Sequence, residues 1–209
     1  MFQIQGKLPR NVSVACSGGV DSMAVVDFLR RNHNVKILFF NHGTDASNEA
    51  LVFLKKFVNQ KNGEFNVKPI GTTISIEVGN ISRAKKPRES EEEYWRNERY
   101  AFFHGRKEEV ITCHHLDDCV ETWIWSSFNG EGKIIPYSNR NVIRPFRLNK
   151  KAEFVNWCRR NGVPWIEDTT NQDTSYMRNF IRHEVMQKAL VVNPGLHKVI
   201  FKKIEKDLV

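Results

Sequence analysis

The stretch VSVACSGGVDSMAVVDFLRR, residues 12–31, constrains the fold of this chain more than any other. An apolar run stops at Cys16, Ser-Gly-Gly follows, and a helical pattern begins at once. Glycine lets backbone approach an anion that a Cβ would hold off. Amides at the start of the next helix, with the helix dipole behind them, then point at that anion. The junction predicts a phosphate-binding turn between a strand and a helix. A plain tight turn capped by Ser17 or Asp21 is the alternative reading. A Walker-type loop would place lysine and then Ser or Thr after the glycines. Asp21 and Ser22 stand there instead. A carboxylate beside polyphosphate is repulsive unless a cation bridges them, which implies Mg²⁺ at Asp21.

NVSVAC (11–16), VKILFF (35–40) and VITC (110–113) are nearly continuous apolar runs, the pattern of strands buried on both faces of a parallel sheet. SMAVVDFLRR lies between the first two. ASNEALVFLKKFVNQKNG follows the second, with Ala50, Leu51, Phe53, Leu54, Phe57 and Val58 at helical spacing. The β-α-β-α order predicts an α/β fold, a doubly wound parallel sheet with ligands at the carboxyl ends of its strands. SGGVDS, NHGTD and HHLDD each follow a predicted strand, so all three open onto one crevice. A helix from Lys150 to Asn161, stopped by Gly162 and Pro164, and a helical run in SYMRNFIRHEVMQKAL add a small helical appendage. The expected division is a nucleotide-binding domain over 1–145 and a helical extension over 146–209. The charged run 82–99 reads as a solvated helix face or a mobile loop.

No apolar run approaches the ~20 residues of a membrane span, and MFQIQGKLPRN has no signal-peptide core. Four scattered cysteines without CxxC argue against a zinc ribbon or a disulfide framework, and fit reduced thiols in a cytoplasmic protein. Lysine and arginine outnumber the acids by 32 to 24, a formal charge of +8. That balance favours a phosphate-rich partner, RNA first, with a generally basic surface as the alternative.

In CHHLDDCVETWIW (113–125), Asp117 and Asp118 lie four and three residues before Glu121, which gathers carboxylates on a helix. Such a cluster needs a cation: Mg²⁺, a cationic substrate, or both. Zinc is disfavoured, because adjacent His114 and His115 lack a third nitrogen or sulfur ligand at helical spacing. Further on, Glu167-Asp168, Asn171, Asp173, Tyr176, Arg178-Asn179 and Arg182-His183 form a polar ladder. Arg178 and Arg182 share a helix face, apt for phosphate or carboxylate. A structural network pairing them with Asp168 or Asp173 is the other reading, and both can hold.

Taken in order, SGGVDS, NHGTDASNEA, ESEEEYWRNERYAFF, HHLDDCVET, RPF and EDTTNQDTSYMRNFIRHE closely resemble the catalytic domain of the tRNA(Ile)-lysidine synthetases, PP-loop ATP pyrophosphatases, over roughly residues 12–190. The resemblance implies ATP-dependent ligation of lysine to C2 of the wobble cytidine of CAU-anticodon tRNA(Ile), through an adenylated cytidine with release of PPi and AMP. It places ATP on Ala15, Ser17, Gly18, Gly19, Val20, Asp21, Ser22 and His42, with Mg²⁺ held through Asp21. Asp118 and Glu121 would bind the lysine ammonium, one of them taking its proton. Arg96 would stabilise charge at the phosphate, which completes a catalytic set of Asp21, Arg96, Asp118 and Glu121. The tRNA would lie on Lys85, Lys86, Arg88, Lys133, Arg178, Asn179 and Arg182, with Lys150 and Lys151 as looser candidates.

The implied partners are that tRNA and L-lysine, with no membrane, for a monomer or homodimer. The resemblance is to a short form without the C-terminal domains that grip the acceptor stem. The chain departs from the family pattern at Gly43-Thr44-Asp45, where a basic residue is usual, at Cys119 in place of glutamine, and at Lys133 in place of arginine. Rival readings are a PP-loop tRNA thiolase, which typically needs a cysteine pair or an Fe–S cluster, and a non-catalytic tRNA-binding protein.

Overall fold

The computed structural model describes residues 1–63, 72–167, 174 and 176–206. Strand β1 (Asn11–Ala15) turns into α1 (Val20–Leu29), β2 (Asn34–Asn41) into α2 (Asp45–Gly63), and β3 (Ile74–Asn80) into α3 (Glu91–His104). Then come β4 (Val110–Ile111), α4 (Leu116–Phe128), the hairpin β5 (Ser138–Asn139) and β6 (Val142–Ile143), and α5 (Lys151–Asn161). Helix α6 (Met177–Phe180), a π-helical turn (Ile181–Val185), α7 (Met186–Val192) and α8 (Leu196–Lys206) follow.

The sheet order is β3-β2-β1-β4-β6-β5, with only β5 antiparallel to its neighbour. The chain winds outward from β1 to β3 and then returns to the other side of β1. This is the doubly wound sheet expected, with its switch point between β1 and β4.

Burial on both faces explains the continuous apolar runs. In β2, Ile37 and Phe39 pack with Met23, Val25, Leu54 and Phe57 of α1 and α2. Leu38 points the other way, to Phe103 of α3, Val110 and Val142. Helix α5 adds Phe154 and Cys158 to the first core, and Gly162 ends it at φ +59° in the left-handed region. A third cluster joins Leu116, Cys119, Val120 and Ile124 of α4 to Ile181, Met186, Leu196, Ile200 and Ile204.

The acidic run proves to be a solvated helix start. Ser90 Oγ caps α3 by accepting the Glu93 N–H at 3.1 Å, and Glu91–Glu93 sit exposed where the dipole favours them. Strand β3, an alternating ISIEVGN, was not expected from its sequence. Among the described residues no helix is long and apolar enough to cross a membrane.

Candidate active site

The turn after β1 is shaped for close approach. Gly18 has φ +90°, and a Cβ there would stand 3.4 Å from Ile166 Cδ1. Its carbonyl accepts the Ile166 N–H at 2.9 Å, which ties the turn to the segment after α5. Gly19 opens α1 with no side-chain cap, so the first-turn amides are open to an anion. Ser22 Oγ donates to the Gly19 carbonyl at 2.9 Å, and Ser17 Oγ accepts the Gly19 N–H at 3.4 Å. Ala15 and Val20 bracket this turn as the last residue of β1 and the first of α1.

Across the switch point, His115 caps α4 in a reciprocal box. Its Nδ1 accepts the Asp118 N–H at 3.2 Å, and Asp118 Oδ2 accepts the His115 N–H at 2.9 Å. With Nδ1 accepting, the ring proton of the neutral form sits on Nε2, which faces Asp21 Oδ2 at 3.7 Å. Lys151, at the start of α5, donates to that same Asp21 oxygen at 2.9 Å, while its backbone N–H donates to Asp117 Oδ2 at 2.8 Å. Asp117 also pairs with His197 Nε2 at 3.1 Å, so it is turned toward α8 and away from Glu121. Asp21 Oδ1 is buried without a hydrogen-bond partner among the described residues. A free carboxylate oxygen beside a phosphate-ready turn suits a hard cation such as Mg²⁺.

Asp118 and Glu121 are both buried, and the C-terminal helices supply their counter-charges. Arg178 Nη2 donates to Asp118 Oδ1 at 2.7 Å, and Arg182 holds Glu121 through Nε and Nη2 at 2.7 and 3.1 Å. The π-helical turn carrying Arg182 lets both arginines reach the pair, an irregularity that recurs at functional sites. Burial works to raise the Asp118 pKa, but His115 and Arg178 outweigh it and hold the carboxyl well below the usual range. Arg178 and Arg182 therefore spend their charge on the acids, and Asn179 is buried between them in sequence. Asp168, Asn171 and Asp173 of the polar ladder lie outside the described residues.

Arg96 does not join this group. It is exposed, with its guanidinium 5.5 Å over the Tyr100 ring, on an open cavity along α3. Arg99, three residues on and rotated by about 300° of helix, is the half-buried one. Burial lowers its pKa, and its charge is felt at His42 and shared against Arg178. Among the described residues Arg99 makes no close ion pair, and Glu92 acts on it only through its charge, so it is a partly desolvated cation with room for an anion. His42 sits against Trp95 and Phe40 at 5.3 and 5.1 Å, and burial with Arg99 lowers it to about 4, keeping it neutral. Burial likewise lowers His114 to about 4.

Lys85, Lys86 and Arg88 sit exposed on a braced loop. Arg83 pairs with Glu89 through two contacts of 2.7 and 2.8 Å, and Ser82 donates twice to Glu98. The Arg83 hydrogen bond lowers Glu89 to about 2. Lys133 is exposed after α4, away from that loop in sequence, with its backbone N–H on Ser126 Oγ. All four cysteines are free, and burial pushes Cys119 and Cys158 up to about 12 and Cys113 well above its ordinary value. Among the described residues no three His, Cys, Asp or Glu side chains gather as a metal would require.

Sequence reasoning missed Arg99 and Lys151 as members of this crevice. Nothing in RNERY tells which arginine turns inward, and Lys151 reads only as a looser candidate for the RNA backbone, with no sign that it meets Asp21.

A family model described as a PP-loop domain matches residues 2–189. The tRNA(Ile)-lysidine synthase of Persephonella marina is 32% identical over 200 residues, covering 88% of this chain and 42% of the relative. That of Thermotoga sp. strain RQ2 is 30% identical over 205 residues, covering 93% and 49%. The chain thus spans a little under half the length of these relatives. Among solved structures, the U34-tRNA thiolase NcsA from Methanococcus maripaludis, with its 4Fe–4S cluster, aligns with a TM-score of 0.69. The alignment covers 96% of this chain and 72% of that one at 14% identity, a likeness of fold.

Proposed function

The chain belongs to the PP-loop domain family, and from that premise we propose that it joins L-lysine to C2 of the wobble cytidine of a CAU-anticodon tRNA(Ile), consuming ATP. One observation carries the reading. Asp21 of the glycine turn faces His115, and His115 caps the helix that bears Asp118 and Glu121, so the nucleotide loop and the acid pair open on one crevice.

The cytidine C2 oxygen attacks the α-phosphate, the α–β bond breaks, and pyrophosphate leaves. The lysine ε-amine then attacks C2, and AMP leaves with the oxygen. Open amides of the first turn of α1, with Ser17 and Ser22, seat the phosphates. Mg²⁺, when bound at Asp21, neutralises phosphate charge beside that carboxylate. Lys151, beside Asp21 in the crevice, would lie within reach of a phosphate seated at the turn and would supply the lysine that the glycine turn itself lacks. Arg99 takes the role expected of Arg96, a fixed positive charge where negative charge grows on the α-phosphate.

Asp118 and Glu121 accept the lysine ammonium by exchanging partners with Arg178 and Arg182, which turn to RNA phosphate. Asp118, held far below the usual carboxylate range, grips the ammonium better than it takes a proton. The proton removal that attack requires then falls to Glu121. A thiolase reading has the fold in its favour, but it would rest on thiols that burial keeps protonated.

The test is incubation with tRNA(Ile) transcript, ATP and labelled lysine, followed by nucleoside analysis. Label in the wobble nucleoside, and pyrophosphate release that a wobble-uridine transcript abolishes, are expected. Sulfur incorporation, or pyrophosphate release without RNA, would overturn the reading.

A further inference from the structure

On the face of the sheet that α3 covers, a cavity of about 400 Å³ lies between α3 and the β5–β6 hairpin. Arg96, Asn97, Tyr100, His104, Asn139 and Arg140 line it. The hairpin wall is clamped in place. Asn141 Nδ2 donates to the carbonyls of Phe103 and Arg106 at 2.9 and 3.2 Å, and Oδ1 faces His104 Nδ1 at 2.9 Å. Carbonyls only accept, so the amide nitrogen must face them and the amide oxygen must face the histidine. Nδ1 of neutral His104 therefore carries the proton, and Nε2 is left as an acceptor.

The same clamp sets Arg140 at φ +53°, a left-handed conformation few side chains adopt. His104 packs on Tyr100 at 5.6 Å, tilted against it, and the Arg96 guanidinium lies 5.5 Å over the same ring. Cation, aromatic ring and imidazole thus follow one another down about 12 Å of α3, and Arg140 faces them from the hairpin across the cavity. Among the described residues neither Arg96 nor Arg140 has a carboxylate partner.

We propose that this groove is a second nucleic-acid contact, seating single-stranded RNA with phosphates on Arg96 and Arg140 and a base on Tyr100. Base stacking on an aromatic ring flanked by arginines is the common device for holding single strands. An acidic peptide would engage the arginines but leave Tyr100 and the His104 acceptor unused. The inference rests on the reading that the substrate is RNA. It routes the strand leaving the crevice down α3, past Arg99, to the hairpin.

The test measures binding of a fluorescein-labelled 12-nucleotide single-stranded RNA to the full chain across a salt series. Arg140→Glu should weaken binding about tenfold at low salt and make the salt dependence shallower by about one phosphate contact. Tyr100→Ala should weaken it about tenfold at every salt, since stacking is not screened. Lys56→Glu, on α2 across the sheet, carries the same charge change and should alter affinity less than about twofold. Equal losses for Arg140→Glu and Lys56→Glu would reduce the effect to net charge and overturn the groove, as would full affinity in Arg140→Glu. The functional reading fails separately. If the wild-type chain adds no lysine yet loses RNA affinity in both groove variants, the groove stands without it. If lysine is added with unchanged KM for tRNA in Arg140→Glu, the groove falls and the function stands.

Discussion

The crevice at the switch point and the groove along α3 use the same residue types in opposite arrangements. In the crevice three carboxylates already face cations: Asp21 with Lys151 at 2.9 Å, Asp118 with Arg178 at 2.7 Å, Glu121 with Arg182 at 2.7 Å. In the groove, Arg96 and Arg140 have no carboxylate partner among the described residues. Buried pairs cost desolvation and stay tolerable only while both partners are present. Such a site suits exchange, where an incoming ammonium or phosphate replaces a partner the protein already provides. Solvated, unmatched arginines lose little while they wait and gain when a phosphate arrives. That arrangement suits docking. The sign of charge alone does not distinguish chemistry from grip; what separates the two is that the crevice holds acids already matched by cations, with Arg99 as its one cation outside a close ion pair among the described residues.

The contrast breaks most visibly in turnover. Asp118→Ala removes the side-chain half of the α4 capping box and leaves Arg178 with Glu121 at 3.5 Å, so kcat/KM for lysine transfer should fall at least ~100-fold. Tyr100→Ala should lower kcat/KM about tenfold, through the tRNA term alone. Comparable losses of kcat in both would erase the distinction.

Stability should separate the regions next. Arg182→Ala leaves the buried Glu121 with Arg178, at 3.5 Å, as its one remaining ion-pair partner among the described residues. Its urea midpoint should drop by the equivalent of about 2 kcal/mol, below the ~3–5 kcal/mol of a fully stranded buried charge. Arg140→Glu should shift the midpoint by less than ~0.5 kcal/mol.

Acid should sharpen the same line. The Asp118 pKa is lower in the folded chain than its ordinary value of 3.8, with burial outweighed by His115 and Arg178. A depressed carboxylate contributes stability above its unfolded pKa and loses it as pH falls through the folded one. Stability should therefore decline below pH ~4 and keep falling past pH 2. Asp118→Asn should flatten part of that decline, and Arg140→Glu should leave its shape unchanged. Chemical denaturation at stepped pH reads both.

The smallest effect is expected at Lys151, whose ion pair with Asp21 is partly solvated. Lys151→Met should cost under ~1 kcal/mol of stability while raising the KM for ATP severalfold. An unchanged ATP saturation curve would remove Lys151 from the phosphate site.

What the sequence could reveal follows from the range of each interaction. Strands β1 and β2 and helix α2 announce themselves, because burial on two faces or one stripe writes an unbroken or 3-4 apolar pattern, whereas α1 is buried from Ser22 through Asp27 on all sides. Gly162 marked the end of α5 to the residue, since the left-handed φ of +59° is a local demand. Strand β3 was hidden because at the sheet edge it alternates ordinary residues, and its burial depends on neighbours far along the chain. Helix α8 carried Leu196, Ile200 and Ile204 at four-residue spacing, a signal present but unused. In the crevice the residue types were legible and their partners were not. Asp118 and Glu121 meet arginines about sixty positions away, and only the folded packing of α4 on the π-helical turn decides that. That Arg96 is exposed and Arg99 half-buried depends on how α3 packs against its neighbours, which no composition records.

The central claim is that chemistry resides in the paired crevice and docking in the unpaired groove. Matched steady-state kinetics of Glu121→Gln and Arg140→Glu test it most directly, with lysine and tRNA varied separately. Glu121→Gln should raise the KM for lysine about tenfold or lower kcat, with the KM for tRNA unchanged. Arg140→Glu should raise the KM for tRNA about tenfold, with the KM for lysine and kcat unchanged. If Glu121→Gln shifts only the tRNA term, or Arg140→Glu shifts the lysine term, the assignment of the two regions is contradicted.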